Sequence, residues 1–504
     1  MLNFFSPQPS HPLADAKELK RFLAELPTDN DLKAVDEVVG WFESLQQAEN
    51  FRADKLNEAV RLLDEAAQPR LRRLARAFLT APRLTKLEER RFWTTCTEYC
   101  QRLASLYEAA LAAAAGKDKA ADGLKPFLPL ITARLIAVLG TGYKWTYFKY
   151  GPQPGELWAR LGAAYLAAEK GKFATKPLQL YPGLPEATTP ALEYLKTLVL
   201  GASSLDALLP LEMELGERLI AHFLPHFVLS ASDRPDNLYW VEPTQAQPPM
   251  RLAKLPSPSP TIRFVAPGQA PAEVASLIRL IERGDVPPEL ALGGQYSPRL
   301  VLHVLRHLAS YWAEKPPLRQ YQRHAVKSRL FVLHGFDACA AVLGGSAAAL
   351  GDSAERWVVD NVSLGGFGAI VAVQRDEWLR IGALLCVQPE GGDNWLLGVV
   401  RRYGKETDSQ AGVGIQTIAK QARSVSVRPR TSMSYGAAAG ILAIMSREEA
   451  DADAVRLVLP PNTFDLRESL EAQLDGRVVL LMPVESIEAG PDYEVARFRA
   501  RAGG

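Results

Sequence analysis

The chain has 504 residues, 47% of them hydrophobic and 23% charged, with 58 lysines and arginines against 57 aspartates and glutamates. That length exceeds a single core, so several domains are expected, and the near balance of charge argues against bulk DNA or RNA as the main partner, because such binders carry a large basic excess. The cysteines, Cys96, Cys100, Cys339 and Cys386, are too few and scattered for a disulfide framework, and the most apolar run, residues 127–140, is too short to span a bilayer and contains Pro129 and Arg134. With no secretory signal in Met-Leu-Asn-Phe-Phe-Ser-Pro, a cytoplasmic protein without a membrane span is expected.

Residues 1–228 read as an all-helical domain. Apolar side chains recur at three- and four-residue spacing over 14–26, 32–47, 53–67 and 87–115. Trp158, Leu161, Gly162 and Tyr165 resemble the first helix of a tetratricopeptide repeat. Pro177, Pro182 and Pro185 fall where its second helix should run, and no second copy follows. A single packed helix is the expectation there.

Residues 229–315 read as a small α+β segment, with extended stretches at 238–242 and 261–265 and helices at 272–283 and 298–312. From 316 to 422 the pattern changes to short strands at 329–334, 356–359, 368–374, 379–387, 395–402 and 413–416. Such a series suggests a small closed barrel, which leaves no exposed edge. A glycine- and alanine-rich insert, 339–351, interrupts it. Residues 423–504 read as a further small β-rich domain, with strands near 438–445, 455–459, 477–482 and 493–499 and no motif that assigns a role. The fold class is therefore multidomain α+β: a helical domain, an α+β segment, a six-stranded barrel and a C-terminal β-rich domain.

Two short motifs carry the chemistry. The first is Arg319-Gln-Tyr-Gln-Arg323, preceded by Leu318. Arginine presents a planar, permanently charged fork that clamps phosphate, pairs with guanine O6 and N7, or stacks on a purine. Leu318 and Tyr321 add apolar surface for a base. The second is Asn361-Val-Ser363-Leu-Gly365-Gly366. Asn361 and Ser363 alternate onto one face of a strand end. The Asn361 amide oxygen can accept from guanine N1–H or N2–H. Gly365 and Gly366 permit positive φ and close approach of backbone. Taken singly, the first motif is equally a solvated helix face and the second an ordinary turn capped by Asn and Ser. Together they suit a small guanine-containing dianion.

In order along the chain come Arg319 and Arg323, then Asn361, Ser363 and Gly366, then Gly398-Val-Val-Arg401 and Val413-Gly-Ile415. This series resembles a PilZ domain over roughly residues 316–422. The long insert before Asn361 departs from the family pattern. The resemblance implies a six-stranded barrel that binds cyclic di-GMP, a bacterial second messenger. Arg319 and Arg323 would hold guanine and phosphate. Asn361, Ser363 and Gly366 would line the other side of the nucleotide, with Leu318 and Gly365 beside them. The expected function is signal transduction: a receptor that relays ligand binding to a protein partner through the helical domain. The alternative is an adaptor whose barrel no longer binds nucleotide.

Other constellations carry less. His303 and His307 have the spacing of a zinc helix but lack its glutamate, and His222 and His226 are separated by Pro225. Cys96 and Cys100 share a helical face without histidine partners and read as buried thiols. With no nucleophile–base pair, metal cluster or cofactor loop in the sequence, neither enzymatic activity nor a cofactor or metal is expected.

Overall fold

Capping residues mark where the helices of the first half begin. In a computed structural model of the chain, which describes residues 11–81, 84–184, 187–315, 321–346, 354–373, 378–430, 440–448, 451–474 and 476–502, Asp15, Asn30 and Thr85 accept backbone N–H bonds at the starts of α1 (Ala16–Glu25), α2 (Asp31–Gln46) and α4 (Lys86–Ala114). Thr85 and Glu88 form a full capping box, which satisfies two otherwise orphaned donors. Between them, α3 (Ala53–Thr80) runs on through Pro69. The helix expected over 53–67 stops short of Pro69 because proline removes a helical hydrogen bond. The helix continues past it because Leu74 buries on the same packed face. Next come α5 (Lys119–Leu124), α6 (Leu128–Tyr147), α7 (Leu157–Lys170), α8 (Pro190–Gly201) and α9 (Pro210–Phe223).

The chain divides into two compact units, Met1–Lys149 with Gln153–Pro317, and Tyr150–Pro152 with Leu318–Gly504. The first unit is held by buried charge as well as apolar packing. Asp64, fully buried, accepts from Tyr99 Oη (2.6 Å), Tyr107 Oη (2.7 Å) and Gln68 Nε2 (2.8 Å). Arg134 reaches Glu65 at 2.8 Å and donates to the Leu180 carbonyl at 2.9 Å. The helical stretch Lys119–Tyr147 is long and apolar enough by composition to cross a membrane, longer than the run visible in the sequence, but most of it is buried inside the unit. Its Lys144 is paired with Glu214 and Glu217. Helix α7 stands as a single packed helix. A Cβ on Gly162 would lie 1.9 Å from the Pro243 carbonyl oxygen, so the glycine is explained by that close approach. The unit ends in a sheet of β1 (Val228–Ser230), β2 (Tyr239–Val241), β3 (Met250–Arg251) and β4 (Arg263–Ala266), in the order β1-β4-β2-β3, with α10 (Ala270–Ile281) and α11 (Pro298–Trp312).

The second unit contains two closed six-stranded barrels. The first uses β5 (His324–His334), β6 (Glu355–Ser363), β7 (Gly366–Ala372), β8 (Leu384–Pro389), β9 (Leu396–Lys405) and β10 (Gln410–Ala419), in the order β10-β7-β6-β5-β8-β9. The second uses β11 (Arg423–Pro429), β12 (Ile441–Glu448), β13 (Asp451–Leu459), β14 (Leu470–Leu474), β15 (Arg477–Ala489) and β16 (Glu494–Ala502), in the order β11-β12-β13-β16-β15-β14. Strand β8 starts later than its apolar run because Gly382, at φ +81°, turns the chain just before it. The insert after β5 opens with a helix, α12 (Phe336–Leu343). Its Phe336 and Cys339 join Leu384 and Cys386 of one barrel and Ile444, Val458 and Tyr493 of the other in one buried cluster. Arg401 also donates twice to Glu488, both at 2.6 Å, across the same junction.

Candidate functional site

The pairing of β5 with β6 decides where the two motifs lie. His324 faces Val362 and Ala325 faces Asn361. Arg323, one residue before β5, therefore sits beside Ser363 at the end of β6. Tyr321 closes the gap further: a Cβ on Gly365 would lie only 2.8 Å from its Cδ2, so the ring rests directly on that glycine. Of the sequence-derived site, the structure brings together Arg323, Asn361, Ser363, Gly365 and Gly366. Leu318 and Arg319 lie outside the described residues.

Strand β6 carries a bulge at Asp360, where the register against β7 shifts between Val359 and Asn361. Trp357 and Val359 face the barrel core. One extra residue reverses the alternation, so Asn361 falls on the outer face instead. There it pairs with Gly368, which pairs with Gly414, which pairs with Arg402. This row crosses four adjacent strands and is floored by two glycines. A Cβ on Gly368 would meet the Asn361 amide nitrogen at 2.5 Å, and one on Gly414 would meet the Arg402 Cβ at 3.2 Å. Neither glycine has room for a side chain, because the Asn361 amide lies over Gly368 and the Arg402 stem over Gly414, and a flat ring reaches this floor only when those side chains swing aside.

The polar groups of the ledge are partly engaged. Asn361 Nδ2 donates to Asp360 Oδ2 at 2.8 Å, while Asn361 Oδ1 is buried with no hydrogen-bond partner among the described residues. Such an orphaned acceptor costs about 1–3 kcal/mol, and turning the amide outward to meet a donor relieves that cost. The Ser363 hydroxyl accepts from Gly365 N–H at 3.3 Å and donates to the Gly366 carbonyl at 3.4 Å. Both bonds are long and belong to its own turn. Gly366 has φ +151°, and a Cβ there would lie 1.9 Å from the Ile415 carbonyl oxygen. Gly365, unlike Gly366, does not adopt a positive φ. Its smallness serves Tyr321 rather than the turn. The Gly-Val-Val-Arg unit on β9 and the Val-Gly-Ile unit on β10 are neighbours, with Val400 facing Ile415.

Beyond Tyr321 and Gly365 opens a cleft of about 1020 Å3 between the two barrels. Leu364 and Gly365 line one side, and Arg423, Arg447, Glu448 and Arg456 the other. Burial works against the charge of Glu448, but bonds from Arg456 (2.7 Å) and Arg497 (3.1 Å) outweigh it and hold the carboxyl below the ordinary carboxylate range. The sequence hid this wall because the strand pattern alone does not say that the C-terminal strands pack beside the motif. The alternating glycines Gly366, Gly368, Gly412 and Gly414 were the available signal for the floor.

The remaining candidates are engaged elsewhere. His307 Nε2 lies 2.6 Å from the Ser203 carbonyl and His303 pairs with Glu212 at 3.5 Å. No group of three potential metal-ligating side chains occurs among the described residues. All four cysteines are buried. Burial pushes the Cys100 thiol up to about 12.

Residues 17–235 match the model of a family described as "Cyclic-di-GMP receptor FimW, N-terminal domain". The match runs from α1 through α9 to β1, leaves out α10 and α11, and includes none of the barrel residues. No curated protein matches the chain.

Proposed function

We propose that the chain is a cyclic di-GMP receptor whose first barrel holds the nucleotide on its outer face and whose helical unit passes the signal to a protein partner. The observation that carries this reading is the β5–β6 register, which sets Arg323 beside Ser363 and Asn361 at the edge of a glycine floor. The family match supports it from other residues altogether, since it lies on 17–235 and owes nothing to the barrel motif. Arg323 supplies a fork for phosphate or for guanine O6 and N7. The unpaired oxygen of Asn361 accepts from the guanine N1–H or N2–H edge. With the Asn361 amide turned outward, the space over Gly368 takes the purine, beside the Arg402 stem that covers Gly414. Arg319, four residues before Arg323 in sequence, is the second fork of this reading. Charge-assisted bonds at about 1.5–3 kcal/mol each, with a stacked base, supply much of the ~8 kcal/mol of a micromolar complex.

A second reading makes the barrel a retired module in an adaptor protein. It draws on the commitment of Ser363 to its own turn and of Asn361 Nδ2 to Asp360. Isothermal titration of the full chain with cyclic di-GMP separates the two. The receptor reading expects saturable binding that Arg323→Ala abolishes. Absence of heat with the unaltered chain, together with an unshifted melting temperature, favours the adaptor.

A further inference from the structure

We infer that the second barrel is a structural duplicate of the first that has lost its own grip on nucleotide and instead closes the first barrel's site, with Lys420 and Arg447 meeting the far phosphate of the bound dianion. The inference rests on the receptor reading above and adds residues that its motif does not contain.

The duplication shows in the connectivity. In each barrel the first strand pairs with the second and the fourth, the second with the third, the third with the sixth, the sixth with the fifth and the fifth with the fourth. The second and third strands are joined at Ser363–Gly366 in one barrel, and in the other the second strand ends at Glu448 and the third begins at Asp451. These equivalent turns look onto the same cleft, Leu364 and Gly365 from the first, Arg447 and Glu448 from the second. A two-fold symmetric dinucleotide has matching halves to offer such a pair of walls.

The two turns differ in chemistry. Where the first barrel has an amide, a hydroxyl and glycines, the second has Ser446-Arg447-Glu448-Glu449-Ala450-Asp451. Glu448 is clamped by Arg456 and Arg497. That arrangement neutralises the acid and occupies both guanidiniums, so Glu448 presents no free carboxylate to a base. Of the turn's described residues, Arg447 remains on the cleft lining as a cation beside the clamped Glu448. Arg447 is exposed, and neither it nor Lys420, also on the lining, takes part in an ion pair or side-chain hydrogen bond among the described residues. In a chain of net charge +1, two cations on the cleft lining with no ion pair among the described residues are a local feature that a dianion exploits. A ligand anchored at Arg323 and Asn361 extends over Tyr321 and Gly365 into this space, where its second phosphate meets them.

The test is isothermal titration of the full chain with cyclic di-GMP at low and moderate salt, on the unaltered protein, on the double variant Lys420→Ala/Arg447→Ala, and on Arg323→Ala. The inference expects the double variant to bind about tenfold more weakly or worse, the loss of a charge-assisted contact, and the deficit to shrink as salt rises. Calorimetric unfolding of the double variant should match the unaltered chain, because both side chains are exposed and have no ion pair among the described residues. Unchanged affinity in the double variant, with binding lost in Arg323→Ala, overturns the inference and leaves the receptor reading standing. No binding by the unaltered chain overturns both.

Discussion

Gly365 and Gly366 are neighbours in one turn, yet the structure gives them different work, and alanine at each should fail differently. At Gly366 an added Cβ would sit 1.9 Å from a backbone oxygen, that of Ile415 on β10, at φ +151°. A carbonyl in a paired strand cannot swing aside as a side chain does. Strain of this backbone region costs about 1–3 kcal/mol, and each β7–β10 hydrogen bond loosened adds about 0.5–1.5 kcal/mol. A total near 3 kcal/mol lowers the melting temperature of the barrel unit by about 6–12 °C. At Gly365 the obstacle is the ring of Tyr321, with Cδ2 at 2.8 Å. That ring is exposed at 42% and can move outward. Gly365→Ala should therefore melt within about 2 °C of the unaltered chain, while its cyclic di-GMP affinity falls about tenfold, because Tyr321 carries Arg323 with it. Differential scanning calorimetry and titration on both variants read this out. Equal melting of the two variants, or a Gly365→Ala protein with full affinity, would refute the reasoning.

Asp64→Ala strips a fully buried carboxylate from Tyr99, Tyr107 and Arg134; the helical unit should lose about 3–5 kcal/mol, as when one partner of a buried pair is removed, and a loss under ~1 kcal/mol by calorimetric unfolding would show the network to be slack. The native protein should resist iodoacetamide, since all four thiols are buried and that of Cys100 is pushed up to about 12; mass spectrometry should find alkylation only in denaturant, and native labelling at Cys100 would contradict the burial. Glu448 has its carboxyl held low by Arg456 and Arg497 against the opposing effect of burial, so its contribution is complete above the ordinary carboxylate range and is lost as pH falls through its lowered folded value. Glu448→Gln should remove that part of the acid sensitivity, seen as a flatter fall in barrel melting temperature from neutral pH to about pH 3, and an identical fall in both proteins would deny the clamp a role.

Much of the architecture was legible because the periodicities are strong. The helices of the first half stand out through spacing and through caps such as Asn30 and Thr85. The closed barrel around the motifs follows from short strands rich in Val, Leu, Ile and Trp. Where reading stopped, a physical reason can be named. Pro69 hides the continuation of α3, since tertiary packing overrides a local breaker. The bulge at Asp360 hides the outward turn of Asn361, because one inserted residue flips every later side chain. Strands β11 and β14 were missed, the latter only Leu470–Leu474, and with them the closure of the second barrel. Shared connectivity between two barrels is a property of pairing order, and sequences as different as Asn361–Gly366 and Ser446–Asp451 leave no trace of it.

A crystal structure of the full chain with cyclic di-GMP tests the central claim most directly. The account predicts ligand density on the outer face of the first barrel, with one guanine lying over Gly368 beside the Arg402 stem, its Watson–Crick edge on the amide oxygen of Asn361, and a guanidinium of Arg323 on phosphate or base. Ligand density anywhere else, or a bound ligand that touches neither Arg323 nor Asn361, would contradict it.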